Sequence, residues 1–262
     1  MTSTHPTACI AAGAQLAEGV EVGPFCIIED RVSIGPGTRL ESHVTIKSNT
    51  TLGARNVVAS GAVLGGDPQD RKYEGQDTHL RIGDDNVIRE YVTIHRATGE
   101  GNTTLVGDRN YLMAFVHLGH NVTLHSDITI ANSVGVSGHV TIEDMTTVGG
   151  MTGIHQFVRI GKLAMVGGLS RIVRDVPPFM LVEGIEQTVR DINAVGLRRI
   201  GVTQESRMAL HKACKLLFRS QLGLTNAMEI VRREVKETSE VRYLLEFLER
   251  LFHGKMGRGD QR

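Results

Sequence analysis

An aliphatic side chain returns at every sixth position of this chain: Ile10, Leu16, Val22, Ile28, Ile34, Leu40, Ile46, Leu52, Val58 and Leu64, then Ile82, Ile88 and Ile94, then Val106 and each sixth residue to Ile172. Only Asp70, Gln76 and Glu100 fall on the beat without being aliphatic, and they lie in polar stretches near 66–80 and 97–105 that read as loops ejected from a repeat. The phase survives both. A period of six matches neither the 3.6 of a helix nor the 2 of a plain strand, so the unit is a short strand and a turn stacked on copies of itself. Four positions after the beat stands a second small or branched residue, as at Val20, Cys26, Val32, Val116, Val122 and Val134, and both sets are expected to point inward.

Three such units make a triangular coil of about 18 residues with coils roughly 4.8 Å apart, a parallel β-helix over 1–180. Glycine, Asn and Asp recur between strands, as in Ile34-Gly35-Pro36-Gly37 and Val106-Gly107-Asp108-Arg109-Asn110, where positive φ or a tight bend is expected. The beat stops at Asp175-Val176-Pro177-Pro178, which cannot continue a ladder. Beyond it the apolar spacing turns helical at Met208, Leu210, Leu216 and Leu217, and again at Val241, Leu244, Leu245 and Leu248. With Thr203, Thr225 and Ser239 as N-caps, 187–262 read as a small helical domain.

The 262 residues carry 29 basic and 29 acidic side chains, which argues against a nucleic-acid partner. Cys9, Cys26 and Cys214 form no spaced pair and read as reduced thiols. No export signal or membrane span is legible, so the cytoplasm is the expected address. A prism carrying Val, Ile, Ala and Thr outward as well as inward exposes too much apolar surface to stay alone, and a three-fold assembly is the expectation.

Histidine brings in the chemistry. His95, His117, His120, His139 and His155 all sit off the inward positions. Wrapping the chain at 18 residues per coil puts His120, Gly138 and Gln156 in one column, with His139 and His155 one step to either side. If the second loop ejects one unit of six, His95 joins the column of His155, one layer below His120. Imidazoles on a β-edge with no adjacent Ser or Cys nucleophile point to a general base acting on a bound substrate. Gly138, stacked on His120, offers a backbone N–H to an oxyanion, and together they suit hydroxyl attack on a thioester. Zinc held by His117, His120 and His139 is the competing reading.

Several stretches carry a resemblance that runs essentially end to end: Gly65 to Gly75 (GGDPQDRKYEG), Ile88 to Thr98 (IREYVTIHRAT), His117-Leu118-Gly119-His120, Ser137-Gly138-His139, Gly153-Ile154-His155-Gln156-Phe157 and Asn193 to Arg199 (NAVGLRR). With these the chain resembles the acyl-carrier-protein-dependent UDP-N-acetylglucosamine O-acyltransferases that open lipid A synthesis in Gram-negative bacteria. The resemblance implies a left-handed β-helix with a C-terminal helical domain, a homotrimer with active sites between subunits, and no cofactor or metal. It implies His120 as the base for the glucosamine 3-hydroxyl and Gly138 as the oxyanion N–H. It also implies a pocket lined by Asp70, Lys72, His95, His117, His139, Gln156, Asn193 and Arg199, with Gly168 limiting acyl length.

One departure is Asn121, where many members of that family have aspartate. An Asn carbonyl orients the imidazole but cannot stabilise an imidazolium by charge, so Asn121→Asp is expected to raise or preserve turnover. Ile200 replaces a third basic residue often found after the Arg pair. Arg171, Arg174, Arg198, Arg199, Lys212, Lys215 and Arg219 gather near the solenoid end, where they would steer an acidic carrier protein. The nearest rival is the N-acyltransferase acting later in the same pathway, which shares the Gly119-His120-Asn121-Val122 stretch but normally carries a further N-terminal domain; here the repeats begin by Ile10.

Overall fold

A computed structural model describes residues 2–252, the last two by backbone alone. The chain from Ser3 to Ile172 winds into a three-sided prism, a left-handed parallel β-helix whose strands of two to four residues stack into three parallel sheets. Tyr111 pairs with Thr129 and Thr129 with Thr147, each step one coil of 18 residues. Leu52 pairs with Ile82, and Ile94 with Leu118, so both loops leave the register in phase. The six-residue beat forms the core: Ile28, Ile46, Leu64, Ile94, Leu118, Val136, Ile154 and Ile172 run up one face, all buried, and Cys26, Val116 and Val134 fill the second inward set.

The turn chemistry follows the expectation at Gly37, Asp85 and Asn121, which are left-handed, and departs from it elsewhere. Positive φ falls three residues after each beat, and most residues there are not glycine: Phe25, Arg55, Tyr91, Asn121, His139, Met151 and Leu169 have φ between 55° and 60°. A left-handed residue costs about 1–2 kcal/mol. Each is held by an intercoil bond, as from His139 N to His120 O at 3.0 Å and from Met151 N to Asn132 O at 3.0 Å, which offsets about 1 kcal/mol. Apart from Gly65, the glycines one residue after the beat have no positive φ and serve close stacking, while Gly19, Gly37 and Gly61 stand three residues after it with φ between 68° and 76°. A β-carbon on Gly35, Gly107 or Gly149 would lie 2.4–2.5 Å from the backbone of the next coil.

Where the beat stops, Met180–Glu183 pairs antiparallel with Thr188–Ile192, a hairpin the sequence pattern does not announce. Four helices follow: α1 (Ala194–Arg199), α2 (Gln204–Phe218), α3 (Leu224–Glu234) and α4 (Ser239–Phe252). Thr203 caps α2 as expected, accepting from Ser206 N at 3.2 Å. The other two caps are displaced. Gly223 begins α3, leaving Thr225 inside the helix, and Thr238, not Ser239, accepts the Val241 N–H at 3.3 Å. Met208 is largely exposed, because Ala209, Leu210, Ala213 and Leu217 form the buried stripe of α2.

Arg159 fastens the helices to the coil. Fully buried on the last coils, it donates to Phe247 O at 3.0 Å and lies 3.6 Å over the Phe247 ring, while Tyr243 donates to Glu143 at 2.8 Å. Burial pulls the guanidinium below its ordinary range despite the nearby Glu143 and Asp175 carboxylates. Of the helical domain expected over 187–262, residues 253–262 lie outside the described part.

Candidate active site

One edge of the prism differs from the others. Gly138 stacks directly above His120: a β-carbon on Gly138 would lie 2.6 Å from His120 Nε2. Only a glycine leaves that nitrogen accessible. The N–H groups of Ser137 and His139 both donate to carbonyls of neighbouring coils, whereas that of Gly138 donates to none among the described residues. The residue that faces the imidazole nitrogen thus also carries an unengaged N–H, and a tetrahedral oxyanion and its proton acceptor require such a pair of groups.

These two residues border a cleft of about 590 Å³, lined also by Gln69, His117, His155, Gln156 and Arg171. Its floor passes over Gly135 and Gly153, whose missing β-carbons would meet nothing within 4 Å. Sequence reasoning passed over both. Their signal is positional: each occupies an outward strand position with no positive φ, where a glycine has no backbone reason to be and leaves open space.

The other histidines are fixed by short contacts. His117 Nδ1 meets Thr93 Oγ1 at 2.8 Å and its ring lies 5.1 Å from that of His95. His95 Nδ1 donates to Asp67 O at 2.5 Å. His139 stands edge-on to His120 at 5.1 Å and stacks under Phe157 at 4.6 Å. Burial pulls His117 below the ordinary histidine pKa, with the His95 charge adding to the effect. Burial lowers His139 too, helped by His120. Among the described residues no three His, Cys, Asp or Glu side chains converge to hold a metal ion, so the zinc arrangement of His117, His120 and His139 is not formed within the chain.

Both ejected loops return to this edge. Arg96, 8 % exposed, donates to Gly65 O at 2.8 Å, pairs with Asp67 at 2.5 Å and reaches Tyr73 OH at 3.1 Å, which fixes the loop carrying Asp70 and Lys72. The Lys72 N–H, 3.0 Å from Asp70 Oδ1, holds the Asp70 carboxyl below its usual range, and the His120 ring is close enough to add to this. Arg96 was not singled out from sequence. Its signal is a buried arginine inside the most family-specific stretch.

Asn193 and Arg199 lie elsewhere. The Asn193 amide caps α1, accepting from Gly196 N at 3.0 Å and donating to Leu163 O at 3.0 Å, and Arg199 is exposed in the last turn of α1. Gly168 stands exposed across the same face from His120, its absent β-carbon 3.2 Å from Gly150 O. The seven basic residues near the solenoid end are all exposed, and among the described residues none joins an ion pair.

The left-handed β-helix of six-residue units with its C-terminal helices, together with the likenesses that follow, makes the chain an acyltransferase of the hexapeptide-repeat class. Residues 175–259 match the family described as UDP N-acetylglucosamine O-acyltransferase, domain 2. The chain is 47% identical over 249 residues to the acyl-[acyl-carrier-protein]--UDP-N-acetylglucosamine O-acyltransferase of Alkalilimnicola ehrlichii, covering 95% of this chain and 96% of that one. It is 43% identical over 250 residues to the enzyme of the same description from Thermodesulfovibrio yellowstonii, covering 95% and 97%. Among solved structures, LpxA from Acinetobacter baumannii superposes with a TM-score of 0.90 at 38% identity over 94% of this chain and 96% of that one. The chain belongs to the acyl-[acyl-carrier-protein]--UDP-N-acetylglucosamine O-acyltransferase family.

Proposed function

We propose that this chain transfers a fatty acyl group, a 3-hydroxyacyl group by family resemblance, from acyl carrier protein to the 3-hydroxyl of the glucosamine in UDP-N-acetylglucosamine, the first step of lipid A biosynthesis. The observation that carries this reading is the Gly138 N–H beside His120 Nε2. His120 takes the proton of the sugar hydroxyl as its oxygen attacks the thioester carbon. The C–O bond forms, the carbonyl oxygen becomes an oxyanion facing the Gly138 N–H, and the C–S bond then breaks. The carrier's thiolate leaves and takes the proton back from the imidazolium, so His120 ends as it began.

Asp70, Lys72, His95, His117, His139 and Gln156 bind the sugar nucleotide in this reading. Asn193 and Arg199 contribute from α1 of a neighbouring copy, Arg199 to a phosphate. A homotrimer supplies that neighbour. Phe25, Tyr91, Phe115, Met151 and Leu169 support it: they form a ridge on one corner, each more than half exposed in the left-handed conformation, and gain little burial within the chain. Light scattering is expected to give three times the chain mass; a monomer at micromolar concentration overturns the assembly. The exposed basic residues near α1 and α2 suit an acidic carrier protein.

The deciding assay presents purified protein with UDP-N-acetylglucosamine and a panel of acyl carrier protein thioesters, and reads product mass. An O-acylated nucleotide sugar is expected, and no product with any thioester rejects the reading. Gly168→Met is expected to shift preference toward shorter chains; unchanged selectivity removes Gly168 as the length determinant.

A further inference from the structure

The outward strand positions of two of the three sheets carry a side chain at every coil, from Glu21 to Met165 on one and from Gln15 to Arg159 on the other. The third is partly bare. On the face that bears the cleft, His117, Gly135, Gly153 and Arg171 pair in register at successive coils. Between the imidazole and the guanidinium lie the two glycines whose absent β-carbons would meet nothing within 4 Å, and they form the floor of a trough. That floor offers no donor, because the Gly135 N–H is spent on Thr152 O and the Gly153 N–H on Ser170 O, each at 3.0 Å. A phosphate or a sugar would trade its water for nothing there, whereas an alkyl chain leaves water without losing a hydrogen bond.

Both ends of the trough are marked by larger side chains. Below stands the half-buried His117 ring, held by Thr93. Above stands Arg171, which lines the same cleft, is exposed and joins no ion pair among the described residues. Arg174, three residues on, is instead tied to the hairpin turn through Glu186 O at 2.9 Å. That turn lies directly beyond Arg171, whose N–H donates to Gly184 O at 3.4 Å, and its Ile185 is 68 % exposed. The glycine floor is thus interrupted by one charged side chain with further apolar surface behind it.

We propose that Arg171 sets the upper length of the acyl chain, which runs from the oxyanion position at Gly138 over Gly153 and stops against the guanidinium. The inference rests on the acyl transfer proposed above. Gly138 belongs to the coil of Gly135, so Arg171 stands two coils on, roughly 10 Å away along the prism at about 4.8 Å per coil. An extended alkyl chain with bonds of about 1.5 Å advances about 1.25 Å per carbon, so about eight to ten carbons fill the trough. A longer chain must press its methylenes against a guanidinium that has no counter-charge among the described residues, or push it aside. Arg171 therefore closes on the floor the path that Gly168, three residues before it, leaves open on the corner.

The test gives the full-length enzyme UDP-N-acetylglucosamine and competing 3-hydroxyacyl carrier protein thioesters of ten, twelve, fourteen and sixteen carbons, and reads the products by mass. The native enzyme is expected to favour ten carbons over fourteen. Arg171→Ala removes an exposed side chain and is expected to raise the fourteen-to-ten product ratio about 30-fold, as the extra methylenes gain a place to be buried. Arg171→Lys, which keeps a charged head on a long stem, is expected to keep the native order. A native enzyme that takes fourteen carbons as readily as ten overturns the proposal, as does an unchanged ratio in Arg171→Ala or an equal shift in Arg171→Lys. An equal loss with all four thioesters in Arg171→Ala also overturns it, since that is the mark of a carrier or phosphate contact. The two readings fail differently: no product from the native enzyme with any thioester rejects the acyl transfer itself, whereas product of native chain-length distribution from Arg171→Ala rejects only this inference.

Discussion

Two corners of the prism share one backbone geometry and do different things with it. On one, the left-handed positions stack Arg55, Asp85, Arg109 and Asp127 in alternating charge, with Arg55 and Asp85 joined at 2.7 Å and Arg109 and Asp127 at 2.8–2.9 Å. On another, the same positions hold Asn121, His139 and Phe157, next to His120 and Gly138 and beneath two ejected loops. The charged corner is closed, its donors and acceptors matched coil to coil. The histidine corner is left open: one N–H is unengaged and one ring nitrogen exposed, and the loops cross over it. The left-handed turn only aims side chains outward, and what decides between a brace and a site is whether the stack satisfies itself.

Changes at the histidine corner should therefore cost activity and changes at the charged corner should not. Gly138→Ala places a methyl against His120 Nε2 and is expected to lower kcat about 100-fold, whereas Gly153→Ala, which enters open space, should leave catalytic chemistry within a few-fold. Equal losses in initial-rate assays would show that the close stacking of 138 on 120 is irrelevant. Arg96→Met should come next, lowering kcat/KM about tenfold through KM for the nucleotide sugar, since it frees the Asp70 loop without touching the base. A loss confined to kcat would contradict that role.

The two corners should also differ in their response to acid. His117 and His139 have folded-state pKa values below the ordinary histidine value near 6.5, so the unfolded chain binds more protons in the range just beneath it. Their contribution is present above about pH 6.5 and is lost as pH falls toward the depressed values. Thermal melts between pH 7.5 and 5.5 should show declining stability, and His139→Gln should flatten the decline. The smallest effect belongs to the charged corner: Arg109→Ala should leave both the melting temperature and turnover close to native, as its pair with Asp127 is solvent-exposed.

Much of this was legible in the chain. The beat of six gave the coil and its inward residues, the return of every eighteenth position placed Gly138 over His120, and the further condition that the second loop ejects six residues placed His95 beneath the later column of His155. The helix caps were less secure, because Thr225 and Thr238 lie within a residue or two of competing starts and packing chooses between them. The glycines were legible in part: Gly37 takes the positive φ its turn calls for, but only the distance between coils shows that Gly35 or Gly149 answers to a backbone above rather than to its own φ.

Sequence by itself settled what repeats, because burial of every sixth side chain is a local rule applied many times over. The tertiary structure alone decided where the two non-repeating loops land, and so joined Arg96 to Asp67 and Asn121 to Thr98. Those contacts obey no period. They depend on the path an ejected segment takes back to the coil and on which unpaired donors and acceptors it meets there.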